Sequence, residues 1–340
     1  MAANTVISTD TVFSTDTVIS AASLTKRFGR STALAGLDLT VERGEVHGFL
    51  GPNGAGKSTT LRILLGLMRA SGGTVSVLSR DPWRDAEAVR RAVAYVPGDV
   101  SLWPGLTGGE IVDLLTSLRG GADAGLRRRL LDDFELDPRK KARAYSKGNR
   151  QKVGLVAALA RPAELYIFDE PTSGLDPVME SVFREHLRRI RDDGSTVLLS
   201  SHILSEVEHV CDRVTIIRGG VTVESGSLAE LRHVTRASFR VTGLPPESDV
   251  AGSPGVHAFT RDGESASFEV DHTGVADVLT ALGRAGVTGI LVAPPSLESL
   301  FLRHYSAPTA PDGTDGTDGR TRGTGAAAAG RASHRDGGTS

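Results

Sequence analysis

The run Gly51-Pro52-Asn53-Gly54-Ala55-Gly56-Lys57-Ser58-Thr59 stands between an apolar stretch, Val46 to Leu50, and a segment with helical spacing, Thr59 to Leu67. A strand that turns through glycines into a helix leaves little choice of architecture: the turn is tight and its backbone N–H groups point inward. Such a turn is a cradle for phosphate, because those N–H groups and the positive end of the following helix converge on one point. Gly51, Gly54 and Gly56 allow the close approach. Lys57 is placed to reach terminal phosphates, and the Ser58 hydroxyl suits a Mg²⁺ that keeps most of its waters. A chance glycine-rich turn would lack the flanking strand and helix.

A second apolar run, Leu165-Tyr-Ile-Phe, ends in Asp169 and Glu170. Two carboxylates at a strand end cost several kcal/mol if buried without partners, and a nearby cation removes that cost. Asp169 is therefore read as the acid that holds Mg²⁺ through its waters, and Glu170 as the group that polarises an attacking water. Helix capping before Pro171 would explain one of these acids and leave the other unexplained.

Between Ala21 and about Leu231, short apolar strands alternate with helical segments, which argues for helices layered on a mainly parallel sheet. The strand candidates are Val46 to Leu50, Ala92 to Val96, Leu165 to Phe168, Thr196 to Leu199 and Val214 to Ile217. Gly109 to Leu118, Gly125 to Phe134 and Gln151 to Leu159 carry Leu and Ile at i+3 and i+4 and form a helical insertion at about residues 107–160. After Arg236 the pattern changes: alternating runs at Ser238 to Val241 and Ser267 to Val270, a helix from Gly274 to Leu282, and a strand from Gly289 to Val292. Residues 236–305 thus read as a small α+β domain following a first domain over residues 21–235. Residues 1–20, which repeat Ser-Thr-Asp-Thr-Val at Ser8 and Ser14, and residues 306–340, rich in Gly and Thr, are too poor in large apolar groups to offset the entropy of ordering, and are read as a disordered leader and a disordered tail.

Composition excludes several classes. A net charge of −2 over 340 residues provides no general basic field, so nucleic acid is not an expected partner. Cys211 is the only cysteine, which rules out an internal disulfide or a Cys-rich zinc site and fits a reducing compartment. It is expected to be a core residue, at helical spacing with Val207, Val210 and Val214. The N-terminus shows no basic-then-apolar signal, and runs such as Val153 to Ala160 are too short to span a bilayer. A membrane role therefore needs another chain.

Taken together, these motifs resemble the ATP-binding cassette family over roughly residues 21–231. Tyr145-Ser-Lys-Gly-Asn149-Arg-Gln is similar to the family signature Leu-Ser-Gly-Gly-Gln, Ser173-Gly-Leu-Asp176 to its D-loop, His202 to its switch histidine, and Phe28 to its adenine-stacking aromatic. The resemblance implies an α/β P-loop NTPase (RecA-like) core with an antiparallel β subdomain and a helical insertion. It also implies ATP and Mg²⁺ as ligands, with Lys57, Glu170 and His202 catalytic and Ser58 and Asp169 at the metal. In the family two cassettes sandwich ATP, so Ser146 and the Gly148 backbone would serve the γ-phosphate bound by a partner, in a homodimer or a pair with another nucleotide-binding subunit. Asp176 has an ordinary alternative as a turn cap before Pro177.

Two departures stand out. Where the family carries Pro-Gln after the second strand, this chain has Pro97-Gly98-Asp99, and either Asp99 approaches the metal or nothing replaces the glutamine. The signature carries Lys147 and Asn149, and a lysine at a helix N-terminus is unfavourable by about 0.3–1 kcal/mol. The partner's phosphate would reverse that sign, which predicts that Lys147 strengthens ATP-dependent dimerisation. The segment Ser296 to Tyr305, with Leu297, Leu300 and Phe301 as a core-helix stripe, resembles the terminal domain of drug and antibiotic exporter subunits. That resemblance implies an exporter with a separate multi-helix permease and a peripheral place on the cytoplasmic face of the membrane. A soluble cassette ATPase acting on nucleic acid or ribosomes is the second reading, against which stand the missing coiled-coil insertion, cysteine-rich module and second cassette. A regulatory ATP-binding module is the third, and Glu170 argues against it.

Overall fold

The computed structural model describes residues 16–234 and 236–293. Its elements in chain order are β1 (Thr17–Phe28), β2 (Ser31–Glu42), β3 (Val46–Leu50), α1 (Lys57–Leu64), β4 (Gly72–Val77), α2 (Ala86–Ala92) and β5 (Val93–Val96). There follow α3 (Gly108–Ser117), α4 (Ala124–Asp133), α5 (Lys147–Leu159), β6 (Leu165–Asp169), α6 (Pro177–Asp192), β7 (Thr196–Ser201), α7 (Leu204–Glu208), β8 (Arg213–Arg218), β9 (Val221–Ser227) and α8 (Leu228–Val234). The last are β10 (Ala237–Thr242), β11 (Val256–Asp262), β12 (Ser265–Val270), α9 (Val275–Ala285) and β13 (Gly289–Ala293).

The central sheet has the order β5-β6-β7-β3-β8-β9, parallel except for β9, which runs antiparallel to β8. A parallel sheet covered on both faces needs strands that are apolar throughout, and β3, β6 and β7 are buried at every residue. Their side chains divide between two cores. Val46 and Leu50 join the cluster built with α3 to α6, whereas Phe49 joins the cluster under the three-stranded antiparallel sheet β2-β1-β4. His47 is the polar exception on β3. It is fully buried and held at 2.8 Å on each side, by Glu45 Oε1 and Thr215 Oγ1.

Local chemistry sets the helix starts. Thr107 and Glu110 form a reciprocal capping box on α3, and Asp176 caps α6 ahead of Pro177 at its first position. The chain from β10 to β13 forms a separate four-stranded antiparallel sheet, order β11-β12-β10-β13, with its own cluster around Phe239, Phe268, Val278 and Leu282.

The differences from the sequence reading are local. Thr17 to Ser20, read as part of a leader, pair with β2 and β4 at the start of β1, where Val18 and Ile19 are buried. Alternating Thr, Val and Ile orders once neighbouring strands supply the apolar face. The helix after the phosphate loop stops at Leu64 rather than Leu67, because the chain turns through Gly66 at φ +64°. Cys211 is buried with Val207, Val210 and Val214, but the helical spacing is wrong: α7 ends at Glu208 and Val214 lies on β8. The leader before residue 16, the Leu297–Leu300–Phe301 stripe and the tail lie outside the described residues.

Candidate functional site

Strand β3 ends at Leu50 and α1 begins at Lys57, so the turn between them is short. Its glycines are structural requirements. A Cβ on Gly51 would stand 2.5 Å from Ile217 O, and Gly56, at φ +111°, would place one 2.9 Å from Ala33 O. Only hydrogen fits at either place. The first N–H groups of α1 have no partner within the helix and face the turn, the arrangement that binds anions.

Lys57 is buried and folds back over this turn. Its Nζ donates to Gly51 O at 2.6 Å and Pro52 O at 3.2 Å, and lies 3.5 Å from Glu170 Oε1. Burial pushes its pKa below the ordinary lysine value, while the neighbouring Glu170 carboxylate pushes it back up. His202, just past β7, brings Nδ1 to 3.2 Å from the same Glu170 oxygen. Glu170 sits at φ +47°, an uncommon backbone for a residue with a Cβ, and its N–H donates to Ser200 O at 3.0 Å. The fold thus gathers Lys57, Asp169, Glu170 and His202 from the C-terminal ends of three adjoining strands, β3, β6 and β7.

Ser200 belongs with them and escaped the sequence reading. Paired with Asp169 across β6 and β7, it donates its buried hydroxyl to Asp169 Oδ1 at 2.5 Å and accepts the Glu170 N–H at 3.3 Å. Its only sequence signal is the strand register, which a single strand does not reveal. Glu206 was missed as well. It accepts hydrogen bonds from Thr172 and from Ser201, both at 2.8 Å, and so ties the segment after Glu170 to the residue before His202.

The remaining candidates lie around this centre. Phe28 ends β1 with its ring 48% exposed and the Lys26 ammonium 5.0 Å from the ring centroid. Ser58 and Asn53 are exposed at the loop, whereas Ala55 is buried. Ser146 is the cap of α5, accepting the Asn149 N–H at 3.2 Å, and Gly148 abuts Gly174. Asp176 accepts the Val178 and Met179 N–H groups, which hold its carboxyl below the usual range. At the position of the expected glutamine, Gly98 faces the Asp169 main chain: a Cβ there would stand 3.2 Å from Asp169 O. Asp99, one residue on, is exposed.

Comparisons with known proteins identify the family. The family model described as ABC transporter matches residues 34–173. An uncharacterized ABC transporter ATP-binding protein of Synechocystis is 36% identical over 80% of this chain and 78% of its own length. The daunorubicin resistance ATP-binding protein DrrA3 of Streptomyces coeruleorubidus is 34% identical over 82% of this chain and 92% of its own. Among solved structures, a dimeric ATP-binding cassette in a post-hydrolysis state with ADP and Pi superposes with a TM-score of 0.55 at 27% identity, covering 62% of this chain and 98% of that one. The chain belongs to the ABC transporter family, among its ATP-binding proteins. Among the described residues, no helix is long and apolar enough to cross a membrane.

Proposed function

We propose that this chain hydrolyses ATP as one of a pair of cassettes and thereby drives a separate membrane permease that exports its cargo. The observation that carries the reading is the Glu170 carboxylate, fixed between Lys57 and His202 at the mouth of the phosphate loop. Both contacts fall on Oε1, so Oε2 is the atom we assign to the attacking water. Lys57 exchanges its loop carbonyls for the β and γ phosphates, His202 contacts the γ-phosphate, and Phe28 stacks on adenine. The donors suit Mg²⁺: the Ser58 hydroxyl and the Asp169 carboxylate are hard oxygens, and a metal that keeps its waters needs only one or two of them. Bound there, it would neutralise charge on the phosphates. Ser146 and the Gly148 backbone serve the partner cassette's γ-phosphate.

Export through a separate chain is supported by the drug-resistance relative and by an apolar groove of about 600 Å³ between the central sheet and the helical insertion. Leu67, Trp103 and Leu118, each about half exposed or more, line it, which is unusual for residues that gain by leaving water. The Nε of Arg119 on the same wall is buried without a hydrogen-bond partner, so an acceptor from a docked helix would satisfy it. Pro97 lines the groove while its neighbour Gly98 touches Asp169, so a single loop joins the nucleotide site to the docking surface. Placement on the cytoplasmic membrane face follows from that docking.

The test compares the full chain with Glu170→Gln, with ATP and Mg²⁺, following phosphate release and molecular size. We expect turnover in the parent, a loss of at least about 100-fold in the variant, and an ATP-held dimer of the variant. Equal turnover in both would remove Glu170 from the chemistry.

A further inference from the structure

Lysine is a poor choice for the first residue of a helix, because the aligned peptide dipoles already place about half a positive charge there. Lys147 holds that position in α5. A local choice that opposes its own helix asks for a compensating role, and the structure shows one. Lys147 Nζ donates to Ser173 Oγ at 2.8 Å, in the loop that leads from Glu170 to α6. The expectation from sequence alone was a different target, the partner's phosphate.

Two more contacts join the same segments. A Cβ on Gly148 would stand 2.4 Å from Gly174 O, so the two backbones touch, and the Lys147 stem lies across Gly174 itself. One turn further along α5, the buried Gln151 donates Nε2 to Pro171 O at 3.0 Å. Just before Ser173 the chain of contacts continues from Thr172 through Glu206 to Ser201, the residue before His202.

We propose that Lys147 is a positioning residue that straps the Ser173–Asp176 loop to the first turn of α5, so that both present to the second cassette as one surface. The proposal rests on the paired-cassette reading, in which both segments face the partner. Gln151 holds the segment just before the loop, while Lys147 and Gly148 hold Ser173 and Gly174 within it. Through Glu206 the strap also joins the segment that serves the partner's nucleotide to His202 and Glu170, which serve the chain's own.

The experiment measures the ATP-dependent dimer of the full chain by analytical ultracentrifugation in the Glu170→Gln background, alone and with Lys147→Met, Ser173→Ala or both. Methionine keeps the stem over Gly174 and removes the donor. Each single change should weaken the dimer about three- to tenfold, the scale of one exposed charged hydrogen bond, and the double change should add nothing. Lys147→Arg should recover most of the loss. Amide hydrogen exchange at residues 173–176 should speed up in Lys147→Met, while the thermal midpoint stays within about 1 °C, as befits an exposed substitution. If Lys147 instead reaches the partner's phosphate, Ser173→Ala frees it and the dimer tightens, which overturns the strap. Unchanged dimer affinity in every variant overturns it too. Absence of any ATP-dependent dimer in Glu170→Gln alone would defeat the paired reading itself, and the strap with it.

Discussion

Removing one hydroxyl should loosen the Asp169 carboxylate, and Ser200→Ala is the substitution that does it. Ser200 is fully buried, and Asp169 is only 6% exposed. The hydroxyl donates to Asp169 Oδ1 at 2.5 Å. The Glu170 N–H keeps its 3.0 Å bond to Ser200 O in the variant, so the loss falls on the Asp169 carboxylate. A hydrogen bond to a charged group contributes about 1.5–3 kcal/mol, and the slightly more apolar alanine returns well under 1 kcal/mol. The net expectation is about 2 kcal/mol of lost stability. With a urea slope of roughly 2 kcal/mol/M, the unfolding midpoint should fall by about 1 M. Both tryptophans, Trp83 and Trp103, lie in the part of the chain that carries the site, so their fluorescence follows the relevant transition. In the same variant the Asp169 carboxylate is free to rotate, and the Mg²⁺ concentration needed for half-maximal phosphate release should rise about 10- to 100-fold. A midpoint shift below about 0.3 M together with an unchanged Mg²⁺ requirement would refute the argument that Ser200 holds Asp169 in place.

Other perturbations test separate parts of the structure. Phe28→Ala should weaken ATP binding by about 1–3 kcal/mol in calorimetry while Phe28→Tyr keeps most of it, because a half-exposed ring offers stacking and little packing; equal affinity in all three proteins would rule out the stacking role. Gly66→Ala places a Cβ 1.9 Å from Pro82 O at φ +64°, and should lower the thermal midpoint by roughly 6–12 °C in scanning calorimetry. Burial pushes the Cys211 thiol well above its usual value, so iodoacetamide should label it only under denaturing conditions, as read by intact mass.

Much of this site was legible because its residues sit where apolar strands stop. Leu50, Phe168 and Leu199 close or nearly close buried runs; Asp169, Glu170 and His202 follow within three positions and Lys57 after the glycine loop, so the change from apolar to polar marks the sheet's edge. What remained hidden depends on contacts between segments. Ser200 reads as one more hydroxyl in a strand until its register against Asp169 is known. Lys147 shows its conflict with the helix dipole in the sequence, but its hydrogen-bond acceptor, Ser173, stands in the loop before α6, 26 residues on. The strand β11, with its irregular burial, has no clean alternation to read, since Ala258 at φ +49° interrupts its pairing with β12. Asp99 shows a subtler difficulty. It drew attention as an acid near the expected glutamine, yet it is exposed, and the residue that meets Asp169 is Gly98, which has no side chain to announce itself.

Gly98 has a mechanical consequence. It meets the Asp169 main chain with hydrogen, where a Cβ would press on Asp169 O at 3.2 Å. A side chain there would make its neighbour give by a few tenths of an ångström, so glycine lets the two segments lie together without strain. In the permease-coupled reading proposed above, Gly98→Gln would press the Pro97 loop onto the Asp169 main chain, so ATP consumption should become more sensitive to jamming the membrane chain than in the parent.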